Sequence, residues 1–223
     1  MSDPASAPIA TADPVAIEAY FTRADGQFLF ARWGRPIAPV VFGVEDTTVS
    51  ILKGAIEAVV ALAGHQMAET DPELGANLMI FFIRDWDELV ETPNLDRLIP
   101  DLASTVDRLK RADANQYRSF RFDTDGGIKA AFVFIRMDMA MSAVPAETIA
   151  LSQVVQTILL WSDTAFLGAS PLVVLENGAA VLRPEIADVI RAGYDPILPV
   201  AASDAAFALR LSARIAAGAG QGH

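Results

Sequence analysis

Six consecutive apolar residues, Leu78–Ile83, constrain the fold of this 223-residue chain more than any other segment. The run has the length of a β-strand, and it lacks the alternation of apolar and polar residues that marks a strand with one solvated face. Continuous apolar strands are typical of sheets that are covered on both faces. The run therefore predicts a central strand that is buried on both sides.

Turn residues divide the rest of the strand-like sequence into short segments. Pro36 and Pro39 lack the N–H group that a central strand needs, so the strand that follows them is predicted to lie at a sheet edge. The turn Asp123–Gly127 separates a segment of alternating polar and apolar residues from a second long strand, which indicates a hairpin. The predicted strand regions are Tyr20–Trp33 (two strands around Asp25-Gly26), Ile37–Val44, Tyr117–Phe122 with Ile128–Arg136, and Leu172–Leu175 with Ala179–Leu182.

Apolar residues at helical spacing dominate the second half of the chain. Helices are predicted over Val49–Ala63 (ended by Gly64), Leu95–Lys110, Ala146–Leu160, Pro184–Ala192 and Asp204–Ile215. Strands and helices do not alternate strictly, which favours an α+β fold with a mixed or antiparallel sheet packed against several helices. We expect one domain over residues 17–216, with disordered tails at 1–16 and 217–223.

Composition excludes several kinds of protein. A formal net charge of -11 disfavours nucleic-acid binding, which needs a basic surface. The absence of cysteine excludes disulfides, thiolate metal sites and cysteine nucleophiles. No apolar run reaches the roughly 20 residues that span a bilayer, and the N-terminus does not have the pattern of a signal peptide. We expect a periplasmic protein if a leader has been removed, and a cytoplasmic one if the sequence is complete as written.

Few residues offer catalytic chemistry. The two histidines are His65, which follows a helix end, and the terminal His223, so a Ser–His–acid triad would have to use His65. Neither a glycine-rich phosphate loop nor a nucleophile elbow is present. Asp123 and Asp125 fit a hairpin turn better than a calcium loop. One acidic group, Asp85, Asp87 and Glu88, follows the predicted central strand, where it could form a carboxylate site or stabilise a helix N-terminus.

Six segments, in this order, resemble the bacterial family known as domain of unknown function 2927. They are Arg32–Ile37, Gly64-His65 at a helix end, Ala76–Phe82, the strand Ala130–Ile135, the helix Ala150–Leu160 and Tyr194–Pro199. The resemblance extends from about Tyr20 to Ile215. It implies a zincin-like fold related to metallopeptidases. Members of the family often carry a His-Glu-Glu run on the helix near Ala150, then a glutamine and an Asn-Asp pair.

This chain departs from that motif at the positions that carry the chemistry. The degenerate positions are Leu151 for the histidine, Ser152 and Gln153 for the acids, Gln156 for the glutamine, and Ser162-Asp163 for the final pair. Leucine cannot bind a metal ion, and glutamine cannot take a proton from water near neutral pH. We therefore predict no metal, no cofactor and no catalytic residue at these positions. Gln153 and Gln156 could form a polar stripe on an amphipathic helix or hydrogen-bond to a ligand.

Two functions fit these observations. The first is a non-catalytic zincin-like protein that acts by binding, as an accessory subunit or interaction protein. Its aliphatic helices favour a protein partner or self-association. The alternative is a divergent hydrolase with a carboxylate-based site. That enzyme would draw on Asp85, Asp87, Glu88, Glu147 and Asp163, with a hard metal bound through oxygen. The alternative requires several of these acids to meet in one pocket.

Overall fold

A computed structural model of the chain describes residues 13–68 and 75–219. Along the chain the elements are α1 (Pro14–Ala19), β1 (Phe30–Ala31), β2 (Pro39–Phe42), α2 (Asp46–Leu62), β3 (Leu78–Ile83), α3 (Asp87–Glu91), α4 (Leu95–Leu98), α5 (Leu102–Arg111), β4 (Gln116–Phe122), β5 (Ile128–Arg136), α6 (Met139–Ser142), α7 (Ala146–Ile158), β6 (Leu172–Val174), β7 (Ala180–Leu182), α8 (Pro184–Gly193), β8 (Ala201–Ala202) and α9 (Phe207–Ala219).

The main sheet has four strands in the order β2-β3-β5-β4. Strands β2, β3 and β5 run parallel, and β4 pairs antiparallel with β5 through the predicted hairpin. The fold is therefore α+β with a mixed sheet, as predicted. Strand β3 is central and β2 lies at an edge, which confirms both predictions made from the apolar run and from the prolines.

Each face of the sheet carries its own apolar core, because alternate side chains of a strand point to opposite faces. On one face, Ala131, Val133 and Ile135 of β5 pack with residues of α2, α7, α8 and α9. On the other face, Phe132 and Phe134 pack with α3, α4 and α5. Since both faces are covered, β3 and β5 can be continuously apolar.

One predicted helix is divided in two. The segment Leu95–Lys110 forms α4 and α5, with Ile99 in an extended conformation between them. Pro100 explains the break, because its ring disfavours helical geometry at the residue before it. Asp101, with a φ of 53°, then precedes α5. The hydrophobic pattern continues across the break because Leu95, Ile99 and Leu102 all enter the same core.

The ends of the domain are more ordered than predicted. Helix α1 begins at Pro14, inside the predicted N-terminal tail, and the side chain of Asp13 caps it by accepting from Val15 N at 3.0 Å. Helix α9 continues to Ala219, past the predicted boundary at residue 216. The predictions of disorder for residues 1–12 and 220–223 lie outside the described residues.

The predicted strands of Tyr20–Trp33 are reduced to a bridge and a short strand. Thr22 and Phe28 form an isolated antiparallel bridge across the turn at Gly26, whose φ is 84°. The two residues of β1 pair with β8 in a separate sheet, not with the preceding segment. The hairpin β6–β7 forms as predicted. Within the described part of the chain, no helix is long and apolar enough to cross a membrane.

Candidate functional site

Helix α7 carries the positions at which the resemblance places metal ligands. Proline at position 145 precedes it, and it ends where Leu159 turns to an extended conformation and bridges to Arg32. The indole of Trp33 donates to the carbonyl of Thr157 in the last turn of α7, at 2.8 Å. The helix is thereby fixed at its C-terminal end against the segment that leads into the sheet.

The degenerate positions have different surroundings. Leu151 is half-buried and packs against the main core. Ser152 and Gln156 are half-buried and bonded to each other, with Gln156 Nε2 donating to Ser152 Oγ at 2.9 Å. Gln153 is only 2% exposed, so it is not part of a solvated stripe. These residues provide no imidazole or carboxylate, and their chemistry is restricted to neutral hydrogen bonds.

The side chain of Gln153 is part of a hydrogen-bonded group that also includes Gln116 and Arg118 of the edge strand β4. Arg118 Nη2 donates to Oε1 of Gln153 and to Oε1 of Gln116, at 2.7 Å in both cases. Gln153 Nε2 donates to Gln116 Oε1 at 3.0 Å. The three side chains form a closed triangle, which we call the Arg118 cluster, between β4 and α7.

The Arg118 cluster holds a positive charge next to neutral groups. Arg118 forms no ion pair with any residue that the structure describes, and its Nε atom is inaccessible to solvent without a hydrogen-bond partner. Burial lowers the pKa of Arg118 to about 10, because the charged form is poorly solvated there. The residue as a whole is half-buried, and of its nitrogen atoms without a partner among the described residues only Nε is fully shielded from solvent.

The backbone next to the Arg118 cluster is an unpaired sheet edge. Arg136 N donates to Asn115 O, so residue 115 faces β5, and alternation then turns Tyr117 and Ser119 toward β5 as well. The N–H groups of Gln116 and Arg118 therefore point away from the sheet. No other strand in the described residues pairs with this edge. A free edge of this kind can accept an extended peptide.

The acidic group at the end of β3 has a structural role. Glu88 Oε1 accepts from the backbone N–H groups of Arg84 and Asp85, and Asp85 Oδ1 accepts from Asp87 N at 2.9 Å. That last bond is the main cause of the lowered pKa of Asp85. Lys110 Nζ pairs with Asp87. The carboxylates thus stabilise the start of α3, and they are already bonded.

The remaining acids of the enzyme hypothesis do not join this group. Asp163 is exposed and accepts from Ala24 N at 3.1 Å, beside the turn at Gly26. Glu147 is exposed in the first turn of α7. Among residues 13–68 and 75–219, no three side chains of histidine, aspartate or glutamate come close enough together to hold a metal ion. Within the described residues, the carboxylates of the enzyme hypothesis therefore do not converge in one site.

His65 belongs to a second cluster, formed by the segments that carry the resemblance. Its ring lies 5.1 Å from the ring of Tyr194 between centroids, and its Nε2 atom is 2.8 Å from the carbonyl oxygen of Arg35. The guanidinium of Arg32 lies 5.5 Å from the centroid of the Tyr194 ring. Burial, and to a lesser degree the charge of Arg32, lowers the pKa of His65. A neutral imidazole in this setting is a packing group.

The hydroxyl of Tyr194 ties the second cluster to the end of α7. It donates to Ile158 O at 2.8 Å and accepts from Trp33 N at 3.3 Å. Burial raises the pKa of Tyr194 well above its usual range. Asp195, the next residue, pairs with Arg214 of α9. The segments Arg32–Ile37, Gly64-His65 and Tyr194–Pro199 thus meet in space as structural supports of one another.

Sequence reasoning identified Gln153 but missed its partner Arg118. The alternation of β4 puts Arg118 on the same face as Phe120, which packs against the main core, and this was the available signal. A charge on the apolar side of a strand indicates a special environment. The same alternation places Gln116 beside Arg118, but the contact with Gln153 could not be inferred, because Gln153 lies 35 residues along the chain from Arg118.

Comparison of the chain with protein-family models, curated protein sequences and solved structures yields no match. The interpretation of the site therefore depends on its own geometry and chemistry.

Proposed function

We propose that this chain acts by binding a polypeptide, at the junction of β4 and α7, and that it is not a catalyst. It would use a zincin-like scaffold in which Leu151, Ser152 and Gln153 replace the metal-binding and proton-transferring side chains. The single observation that carries the proposal is the Arg118 cluster, where a buried guanidinium and two glutamines lie beside the helix that would otherwise hold a metal.

The free edge of β4 supports a polypeptide as the partner. The outward N–H groups of Gln116 and Arg118 can pair with an extended segment, whereas a small molecule would not need a row of backbone groups. Phe122, the last residue of β4, is 45% exposed and extends the surface with an aromatic side chain. Nucleic acid is a poor alternative because the net charge is -11.

Site-specific photocrosslinking in the native host tests the location. A photoreactive residue at Phe122 is expected to give a discrete adduct with one or a few proteins. The same residue at Leu209, which is 60% exposed on α9, is the control and is expected to give none. Equal labelling from both positions would contradict the proposed site.

Elemental analysis of the purified protein tests the non-catalytic part of the proposal. We expect less than one equivalent of zinc, iron or manganese after purification without chelators. A stoichiometric metal ion would overturn this part, because the described residues include no cluster of three ligands to explain it.

A further inference from the structure

The guanidinium of Arg118 has more hydrogen-bond donors than acceptors around it. It carries five N–H groups in a fixed plane. Nη2 donates to Gln116 and Gln153, whereas Nε and Nη1 donate to none of the residues that the structure describes. An unsatisfied buried donor is destabilising, and it is more so on a charged group. The Arg118 cluster is therefore incomplete as an isolated hydrogen-bonded group.

The charge of Arg118 has no ion-pair partner among the described residues, unlike the charges of Arg136 and Arg35. Arg136 also has a buried Nε without a partner, but its Nη2 pairs with Asp113 at 2.7 Å and Asp138 at 3.3 Å. Arg35 contacts both carboxylate oxygens of Asp123. Around Arg118, both acceptors are neutral amide oxygens, which bind a cation without neutralising it. Within residues 13–68 and 75–219, this buried charge therefore has no counter-ion.

We propose that Arg118 binds a carboxylate group of the polypeptide partner. The inference rests on the proposed function, since it names the chemical group that the site at β4 and α7 recognises. Arg118 presents its guanidinium beside the unpaired backbone of the same residue. A peptide that pairs with β4 would therefore bring its own end, or an acidic side chain, to Nη1.

The charge of the site selects the kind of anion. The site has one positive charge and no second cation within the Arg118 cluster, so a monoanion neutralises it whereas a phosphate dianion leaves an excess negative charge. A carboxylate oxygen that accepts from Nη1 forms a charge-assisted hydrogen bond with the guanidinium, which is stronger than a bond between neutral groups. Because the chain is itself strongly acidic, a single carboxylate on an otherwise neutral peptide is expected to bind better than a polyacidic one.

Nuclear magnetic resonance of the arginine Nε–H groups in the full chain tests the inference with acetate as the probe. Arg118→Lys identifies the Arg118 resonance by its disappearance. At constant ionic strength, acetate is expected to shift this resonance saturably, and acetamide is expected to leave it unchanged. The Nε–H of Arg136 is the internal control, because that guanidinium already has two carboxylates.

A second variant keeps Arg118 and places a carboxylate within the Arg118 cluster itself. In Gln153→Glu, a carboxylate replaces the amide that Arg118 already contacts, so the acetate response of Arg118 is expected to weaken about tenfold. The inference is overturned if acetate does not shift the Arg118 resonance. It is also overturned if the shift does not saturate, as is expected for surface arginines. Photocrosslinking from Phe122 could still succeed in that case, so the two proposals fail separately.

Two blocked peptides distinguish the sources of the carboxylate. One has a blocked N-terminus, no ionisable side chain and a free C-terminal carboxylate, and the other has the same sequence with an internal aspartate and an amidated C-terminus. A saturable shift of Arg118 with either one supports the inference and identifies the source. No shift with either peptide, in a protein that responds to acetate, means that the anion does not come from a polypeptide and overturns the assignment.

Discussion

Arg118 Nη2 on strand β4 lies 2.7 Å from Oε1 of Gln153 on helix α7, which joins the edge of the sheet to the helix through a charge-assisted hydrogen bond. Since Gln153 is 2% exposed, water cannot replace either partner easily. The bond therefore connects the two elements that form the proposed site.

The first prediction concerns the amide of Gln153. Gln153→Leu removes an acceptor from buried Arg118 and is expected to lower the free energy of unfolding by about 1–3 kcal/mol. Gln156→Leu, one turn later on the same helix, is the control and is expected to cost less, because the side chain of Gln156 bonds to Ser152 alone among the residues that the structure describes. Urea denaturation followed by circular dichroism measures both. Equal effects would mean that the Arg118 cluster contributes little to stability.

The second prediction concerns the hydroxyl of Tyr194. Tyr194→Phe leaves Trp33 N and Ile158 O without their partner, so the free energy of unfolding is expected to fall by about 1–3 kcal/mol. Tyr117→Phe is the control, because no hydrogen bond of the Tyr117 hydroxyl occurs within the described residues, and its ring still stacks on Phe134. A similar loss in both variants would show that the hydroxyl bonds of Tyr194 are not the cause.

The third prediction is a pH dependence caused by His65. Its pKa in the folded protein lies below that in the unfolded chain, so the unfolded chain binds the proton first as the pH falls. The stability contributed by neutral His65 is therefore complete above about pH 6.5 and decreases as the pH falls toward the lowered pKa of the folded protein. Urea midpoints between pH 8 and 5.5 measure this decrease.

The variant His65→Gln removes this dependence while it keeps a neutral donor for the carbonyl of Arg35. Its midpoint is expected to change less between pH 8 and 5.5 than that of the original protein. The difference between the two curves isolates His65, because the titration of all other groups is common to both. Parallel curves would refute the role of burial at His65.

The fourth prediction concerns amide hydrogen exchange along β4. The N–H groups of Tyr117 and Ser119 face β5 and are expected to exchange slowly, whereas those of Gln116 and Arg118 face outward and are expected to exchange quickly. A bound peptide on the edge would slow the outward pair alone. Uniform protection in the free protein would show that another segment already covers this edge.

The fifth prediction concerns Asp87, in the acidic group at the end of β3. Asp87→Asn removes an exposed ion pair with Lys110, so its effect on the urea midpoint is expected to be smaller than that of Gln153→Leu. Photocrosslinking from Phe122 is expected to be unchanged, because Asp87 lies on the side of the sheet opposite to α7. Loss of the adduct would connect the acidic group to the binding site.

Local patterns predicted most of the elements, and tertiary relationships explain the rest. The hairpin of β4 and β5, the helix α2 and the central strand β3 follow from turn residues and periodicity. The break at Pro100 was visible as a proline, but the continuous apolar pattern favoured a single helix there. The Asp-Pro pair that begins α1 lies in the segment that was predicted to be a tail.

The candidate site was less accessible to sequence reasoning. Gln153 was identified through the resemblance. That resemblance concerns a catalytic motif on α7, so it indicates only which catalytic side chains α7 lacks. It does not point to Arg118, which lies on a different element and has no counterpart in that motif. The carboxylates at the end of β3 were prominent in the sequence, and the structure shows them bonded to Lys110 and to backbone N–H groups.

Trp33, His65 and Tyr194 are in contact near the end of α7, and this affects how the sequence of this chain can be compared with others. The contacts of these three residues hold distant segments together, and they do not depend on what the molecule binds. A search built on them would gather proteins with a shared architecture and unrelated ligands. Two such proteins would be told apart by the side chains at positions 116, 118 and 153.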